Sequence, residues 1–397
     1  MTYEHRQCAV CGTGQGKLLF QQHLAALSSG SFLEGYDVVV CPACGFGYAD
    51  KIPAQAEFDA YYRDMSKYEH QESGGKECEF DAVRFHKMAG IIQQVARSPQ
   101  TRILDIGCST GRLLSILQEA GYRRVQGLDP SPACAEAARR LYGIEVLTAS
   151  LTDFETPAGS FDLLVLSGVL EHICDLTAVL KKLGRALADD GLLVVSVPDA
   201  GRFSAEEDAP FQQFSTEHIN FFSAASLANL MHVHGFASEF CQEHTDAAGL
   251  GYTYAGPVVD AVFRKSGLPL SWQYDAQTEP ALAEYIRRSR SVDDGIRQTI
   301  DRIVAAGEPI IVWGVGTHTL RLLATGGLAK AKIAAFVDAN PRYQGKSLRE
   351  VPILSPAELS GRTEPILVSS RVFQKDIQHQ ILEVLKFSNP LYLLYEM

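Results

Sequence analysis

Apolar runs and amphipathic stretches alternate through the middle of the chain, and this alternation predicts an α/β fold. An apolar run at 101–106 is followed by helical spacing at 112–120 and then by a second apolar run at 125–129. Further strands are predicted at 144–147, 161–167 and 191–197. Because strands and helices take turns, we expect a doubly wound, mostly parallel sheet.

The regions on either side of this core have patterns of their own. A helix is predicted at 78–96, and another runs from Ala224 to His234. After a long charged helix at 281–306, a second strand–loop–helix unit begins at Pro309, and its next strand ends at Asp338. We therefore predict four regions: residues 1–75, an N-terminal domain; 76–265, the main α/β domain; 266–307, a linker and long helix; and 308–397, a Rossmann-like α/β domain.

Two acids follow two neighbouring strands of the main domain. Asp105 precedes a loop with Gly107 and Gly111, and Asp129 ends the next strand. Glycines allow the backbone to approach a ligand, and an acid after the second strand can accept the two hydroxyls of a ribose. A pyrophosphate would be repelled by Asp105, whereas a cationic nucleoside would not. The pattern therefore predicts a nucleoside site for a ligand without phosphate.

Four of the nine cysteines form two C-x-x-C pairs near the N-terminus. Cys8 and Cys11 form the first pair, Cys41 and Cys44 form the second, and 29 residues separate them. A glycine follows each pair, as is typical of knuckles that hold zinc with four thiolates. We predict a closed, structural zinc site, which would make residues 1–75 a small zinc-binding domain stabilised by the ion.

Two Glu-His pairs are candidates for acid–base chemistry. Glu171-His172 follows the strand at 161–167, and Glu217-His218 comes after the strand at 191–197. Imidazole and carboxylate groups are suited to removing a proton from an acceptor before group transfer. We expect His218 to be the general base, with Glu217 beside it and His172 shaping the pocket.

Composition narrows the choice of partners and compartment. The 397 residues carry a formal net charge of −11, which argues against a nucleic-acid substrate. The sequence contains no apolar stretch long enough to span a membrane and no signal pattern at the N-terminus. Five scattered cysteines fit free thiols, so we expect a cytoplasmic protein.

The segment from Asp105 to Gly111, with Asp129, resembles the class I S-adenosylmethionine-dependent methyltransferases. This resemblance implies S-adenosylmethionine as the methyl donor and implies donor contacts at these positions: Asp105, Gly107, Cys108, Ser109, Gly111, Asp129, Leu151 and Ser167. It also implies that the last two strands, at 236–241 and 250–263, complete the sheet, one of them antiparallel. Tyr68 resembles a tyrosine that covers the donor in some members, whereas Tyr61 and Tyr62 are expected to be core residues.

The order of the regions resembles the three-domain sugar C-methyltransferases, which methylate a nucleotide-linked 4-keto sugar next to the keto group. That resemblance implies His218 as the base, Glu217 as its neighbour and a nucleotide-linked sugar as the small-molecule acceptor. One position differs, because this chain has Ser215 where the family has a tyrosine. Serine is a poorer proton relay than a phenol, and an enolate needs an electrophilic partner.

The sequence is also compatible, to different degrees, with other functions. Methylation of a hydroxyl on a sugar or another small molecule is the nearest alternative. An NAD-dependent oxidoreductase is disfavoured because neither loop has the third glycine of the dinucleotide motif. The acidic charge disfavours a zinc-knuckle RNA methyltransferase, and the histidines near the predicted site disfavour a non-catalytic binding protein.

Overall fold

The structure is a computed structural model, and it describes residues 3–26, 33–64, 79–205, 208–246, 256–341 and 343–395. The chain divides into two compact units. Unit 1 contains Met1–Lys17, Val39–Phe203 and Glu217–Ala281. Unit 2 contains Leu18–Val38, Ser204–Thr216 and Leu282–Met397.

The elements follow one another in chain order. The first region forms β1 Lys17–His23, β2 Gly35–Val40, β3 Gly47–Asp50 and α1 Gln55–Asp64. The middle region forms α2 Glu79–Val95, β4 Ile103–Ile106, α3 Arg112–Glu119, β5 Val125–Asp129, α4 Pro132–Tyr142, β6 Val146–Thr148, β7 Phe161–Ser167, α5 Leu176–Ala186, β8 Leu187–Pro198, β9 Asn220–Phe221, α6 Ala224–Val233, β10 Phe236–Asp246 and β11 Gly256–Lys265. The last region forms α7 Thr278–Ala306, β12 Ile310–Trp313, α8 Thr317–Ala324, β13 Ile333–Val337, β14 Ser347–Leu348, β15 Val351–Leu354, β16 Ile366–Val368, α9 Gln374–His379 and β17 Leu391–Leu393.

Unit 1 is built on a seven-stranded sheet in the order β10-β11-β8-β7-β4-β5-β6. Strands β4 to β8 are parallel to one another, whereas β11 runs antiparallel to both β8 and β10. The prediction of a mostly parallel, doubly wound sheet with one antiparallel strand is therefore confirmed. The predicted strand at 250–263 begins outside the described residues, and its described part starts at Gly256.

Buried side chains cover both faces of this sheet. Leu104 and Leu164 are fully buried in the core that α5 and α6 cover, while Ile103 and Val165 belong to the core under α2 and α3. Strands that are buried on both faces read as continuous apolar runs, which is why β4 and β7 have no polar alternation. Because β4, β5, β7 and β8 are parallel, their carboxyl ends share one edge of the sheet.

Unit 2 contains a six-stranded sheet in the order β14-β15-β13-β12-β16-β17. Strand β12 is parallel to its neighbours β13 and β16. Ile310 and Val312 face one buried cluster, and Ile311 and Trp313 face the other. A Rossmann-like α/β region was predicted here, and the prediction is confirmed. Among the described residues, no helix is both long and apolar enough to cross a membrane.

Candidate functional site

The loop after β4 closes on the end of β5 through Asp129. The backbone N–H of Ser109 donates to one carboxylate oxygen of Asp129 at 2.8 Å, and that of Ser131 donates to the other at 2.9 Å. The N–H of Gly107 donates to the carbonyl of Leu128. Asp129 therefore stands at the carboxyl edge of the sheet with its orientation fixed by the backbone.

Glycine is required in this loop by both conformation and space. Gly107 and Gly111 have φ values of +70° and +80°, which L side chains rarely adopt. A Cβ on Gly107 would lie 2.7 Å from Cγ2 of Val169. The loop thus passes directly against the segment that carries Glu171 and His172.

Asp105 is the second acid of this edge, and only 3% of its surface is exposed. Burial raises the pKa of Asp105 to about 8, and the nearby Asp129 carboxylate adds to the increase. A buried carboxyl group of this kind is neutral near pH 7 unless a cation joins it. A ligand with an ammonium or sulfonium group would supply that positive charge.

A cavity of about 230 Å³ lies where β5 and β6 end. Its lining consists of Arg63, Pro130, Pro132, Thr148, Ala149, Ser150 and Asp153. The cavity lies directly after Asp129, the expected ribose partner, and its lining mixes polar and apolar side chains. The side chain of Leu151 packs into the core instead, and Ser167 is half-buried at the end of β7.

The two Glu-His motifs come together although 45 residues separate His172 from Glu217. The N–H of Ile219 donates to the carbonyl of Glu171 at 2.8 Å. The Asn220 amide donates to the carbonyls of Leu170 and Ile173 at 2.8 and 2.7 Å. These bonds place the rings of His172 and His218 with their centroids 5.1 Å apart.

Helix α1 contributes two hydroxyl groups to this cluster. Tyr61 donates to the Glu217 carboxylate at 3.1 Å, and the hydroxyl of Tyr62 lies 2.9 Å from Nδ1 of His172. The expectation that both tyrosines are core residues is therefore wrong. The sequence spacing of the two tyrosines does not predict these contacts, because a helix of ten residues can direct a phenol either into a core or towards a site. Tyr68 lies outside the described residues.

The four N-terminal cysteines form one compact cluster, as predicted. Their sulfur atoms all lie within 4.8 Å of one another, and the pairs Cys8–Cys44 and Cys11–Cys41 are each 3.4 Å apart. Gly45 has a φ of +85°, and a Cβ there would lie 2.1 Å from the backbone oxygen of Asp275. The cluster fits a zinc ion, since four thiolates in this volume need a cation to balance their charge.

Arg6, two residues before Cys8, contacts the segment that follows the second Glu-His motif. Its guanidinium donates to the carbonyls of Ala49 and Ile219 at 2.8 and 3.1 Å and to the Asn220 side chain at 3.0 Å. In addition, β3 pairs with β9, which begins at Asn220. The N-terminal region therefore supports the segment that follows His218.

Comparison with known proteins agrees with this architecture. A family model described as a methyltransferase domain matches residues 80–239, and a model described as C2185-like, N-terminal, matches residues 307–389. The chain is 26% identical over 295 residues to the C-methyltransferase NovU of Streptomyces niveus, a match that covers 68% of this chain and 66% of that protein. The chain thus spans just under two thirds of this relative.

A probable S-adenosylmethionine-dependent methyltransferase of Mycolicibacterium smegmatis is 27% identical over 193 residues, covering 47% of this chain and 74% of that protein. Among solved structures, the 1,6-didemethyltoxoflavin-N1-methyltransferase of Burkholderia thailandensis, crystallised with S-adenosylhomocysteine, is 19% identical and has a TM-score of 0.43. That alignment covers 57% of this chain and 96% of the other. Residues 80–239 of the chain are therefore a methyltransferase domain.

Proposed function

We propose that this enzyme transfers a methyl group from S-adenosylmethionine to a carbon next to a keto group of a nucleotide-linked sugar. The observation that carries this proposal is the meeting of Glu217, His218 and His172 beside the donor loop. The similarity to a C-methyltransferase supports a carbon acceptor. When bound, S-adenosylmethionine supplies a methyl group on a positively charged sulfur.

We propose that the donor is held by the residues predicted for it: Asp105, Gly107, Cys108, Ser109, Gly111, Asp129, Leu151 and Ser167. Asp129 would accept the ribose hydroxyls, and Asp105 would face the cationic part. The bare backbone of Gly107 leaves room that a side chain would fill. Leu151 would act through its backbone, because its side chain is 7% exposed and belongs to the core.

The proposed base is His218, and Glu217 beside it would orient the acceptor. Removing a proton from a carbon next to a carbonyl group requires a base within hydrogen-bond reach and typically accelerates the reaction by about 10²–10⁴-fold. His172 is held by the Glu217 carbonyl at 2.9 Å and shapes the pocket. Methylation of a sugar hydroxyl would use the same base and is the second candidate.

Mass spectrometry of candidate acceptors tests the proposed reaction. The enzyme is incubated with isotopically labelled methyl donor and a panel of nucleotide-linked sugars that includes 4-keto and 4-hydroxy members. We expect a labelled methyl group on carbon in the 4-keto members. Labelling of the 4-hydroxy members alone would favour the hydroxyl acceptor, and no labelling of any member of the panel would refute the acceptor class.

We further propose one structural zinc ion bound by Cys8, Cys11, Cys41 and Cys44. Cys41→Ser should remove zinc from the purified protein and lower its melting temperature, because the ion holds together a region without a large core. The matched control is Cys241→Ser, at an exposed cysteine outside the cluster. Equal zinc content in both variants, measured by elemental analysis, would contradict the assignment.

A further inference from the structure

A buried asparagine, Asn220, binds the turn that carries Glu171 and His172. Only 3% of Asn220 is exposed, and its amide donates to the carbonyls of Leu170 and Ile173 at 2.8 and 2.7 Å. These two carbonyls stand on either side of Glu171 and His172 in the chain. The first Glu-His motif therefore lies between the two points where one side chain holds the backbone.

The oxygen of the same amide accepts a hydrogen bond from Arg6. The Arg6 guanidinium donates to the Asn220 oxygen at 3.0 Å and to the carbonyls of Cys174 and Ile219 at 2.9 and 3.1 Å. Because carbonyl groups can only accept and a guanidinium can only donate, the amide of Asn220 has one possible orientation. Arg6 thus joins a carbonyl just after the first motif to a carbonyl just after the second.

Main-chain groups add two direct links between the motifs. The N–H of Ile219 donates to the carbonyl of Glu171 at 2.8 Å, and Nδ1 of His172 lies 2.9 Å from the carbonyl of Glu217. Both links require residues 217–220 to keep their position along the turn at 170–173. A shift of that segment by one residue would break both links and change the 5.1 Å separation between the rings of His172 and His218.

We propose that Arg6 and Asn220 are positioning residues that together hold His218 at a fixed distance from His172; this inference rests on the proposed function of the two Glu-His motifs. Both N–H groups of the Asn220 amide are used by protein carbonyls, so Asn220 acts through the histidines and not on the acceptor. A displacement of about 1 Å in a catalytic group can cost roughly 100-fold in rate. The pair should therefore affect turnover without contacting either substrate.

Two substitutions alter the pair while keeping its size and charge close to the original. Asn220→Asp keeps the shape of the side chain and the acceptor for Arg6, but a carboxylate has no hydrogen to donate to the carbonyls of Leu170 and Ile173. Arg6→Lys keeps the positive charge but loses the planar fork that reaches several oxygens at once. We expect the larger effect from Asn220→Asp, because it loses both contacts with the turn.

Nuclear magnetic resonance of the histidine rings tests the pair without an acceptor. The full-length protein is labelled with ¹³C and ¹⁵N in histidine, and the ring signals of His172 and His218 are assigned from His172→Gln and His218→Gln. We expect the signals of both rings to shift in Asn220→Asp and in Arg6→Lys. Unchanged ring signals in both variants would overturn the proposal.

Asn229→Asp is the matched control for this experiment. Asn229 is a buried asparagine of α6, and its amide exchanges hydrogen bonds with the backbone of Gln273 instead of the Glu-His motifs. The control should leave the ring signals of His172 and His218 in place. Each variant is also titrated with S-adenosylhomocysteine, and affinities within about twofold of wild type show that the donor site has folded. If Asn220→Asp fails this titration, Arg6→Lys decides alone.

Methyl transfer separates a positioning role from a purely structural one. With labelled donor and the panel of nucleotide-linked 4-keto sugars, Asn220→Asp should lower kcat by about 10–100-fold and leave the KM for the donor within about twofold. A purely structural role would lower the melting temperature and leave the kcat of the folded protein unchanged, which would refute the proposal. If wild-type protein methylates no member of the panel, the proposed function fails, whereas the ring signals still decide whether Arg6 and Asn220 position the histidines.

Discussion

The two units contain loops with the same backbone hydrogen bonds but different chemistry. In unit 1, Gly107 donates to the end of the neighbouring strand, and Asp129 accepts from Ser109 and Ser131. In unit 2, Gly314 donates to Val337, and Asp338 accepts from Val315 and Asn340 at 2.8 Å each. A glycine loop and an acid after the second strand therefore occur in both units and do not distinguish them.

The difference lies two residues before the first glycine of each loop. Unit 1 has Asp105 there, and unit 2 has the fully buried Val312. The loop of unit 2 is also shorter, since α8 begins at Thr317. Its first helical turn holds His318, which is buried against the hydroxyl of Tyr395 at 2.9 Å. We expect the extra carboxyl group of Asp105, rather than the hydrogen bonds that both loops share, to select a cationic nucleoside.

Removing the acid after the second strand should have the largest effect on donor affinity in unit 1 and almost none in unit 2. Asp129→Ala should weaken binding of labelled donor by at least about 100-fold, because two ribose hydrogen bonds to a charged group are lost together. Equilibrium dialysis measures this change. Asp338→Ala is the matched control, and we expect donor affinity to stay within about twofold of wild type. Equal losses in both variants would contradict the assignment of the donor to unit 1.

Loss of the proposed base should affect turnover without affecting the donor. His218→Ala should lower the rate of methyl transfer by about 10²–10⁴-fold while donor affinity stays unchanged. The rate is measured with labelled donor at saturating acceptor. Full activity in this variant would show that the base is elsewhere, with Glu217, His172 or Tyr68 as the next candidates.

Asp105, which has no counterpart in unit 2, should make the affinity for the donor depend on pH. Because the pKa of Asp105 is about 8 in the unliganded protein, binding of a cation must release its proton at lower pH. Donor affinity should therefore rise by up to about tenfold per pH unit below pH 8 and then level off. Calorimetry in buffers of different ionisation enthalpy should show about one proton released near pH 6.5.

Asp105→Asn should remove this dependence. In the wild-type protein, Asp105 should make stability fall as the pH rises, whereas an acid with a lowered pKa would make it increase. A pKa raised from about 4 in the unfolded chain means that the folded, unliganded protein loses stability as the pH rises from about 4 to 8. Thermal melts of the variant should lack this part of the decline. The same pH dependence in both proteins would exclude Asp105 as its source.

The glycines of the two loops should differ in their tolerance of a methyl group. Gly107→Ala should lower the free energy of unfolding by about 1–3 kcal/mol, because φ is positive there and the new Cβ would meet Val169. Gly316→Ala should be close to neutral, since Gly316 has an ordinary φ of −76° and nothing lies within 4 Å of its added Cβ. Urea denaturation measures both, and equal stabilities of the two variants would contradict the close contact at Gly107.

Much of the fold followed from the sequence because its signals are local. Strands β5 and β7 have the predicted bounds, since each is a short apolar run between turn residues. The cysteine cluster also followed from spacing alone. Strand β8 is longer than predicted and extends back to Leu187, because its first residues include Asp189 and Asp190 and do not look like a buried strand.

The site could be predicted only in part. Asp105 and Asp129 could be predicted from their position at the ends of apolar runs, and the histidines could be predicted from their residue type. The contacts of Tyr61 and Tyr62 with the Glu-His motifs depend on where α1 lies, which no local pattern encodes. The approach of Glu171 to His172 and His218 likewise depends on bonds made by Ile219 and Asn220 from a distant part of the chain.

The most direct test of the account is the stoichiometry of donor-product binding. Calorimetric titration of the full-length protein with S-adenosylhomocysteine should show one site per chain. The same single site should remain in Asp338→Ala and disappear in Asp129→Ala. A titration without heat at any temperature, or one that shows two sites per chain, would contradict the claim that the carboxyl edge of unit 1 alone holds the methyl donor.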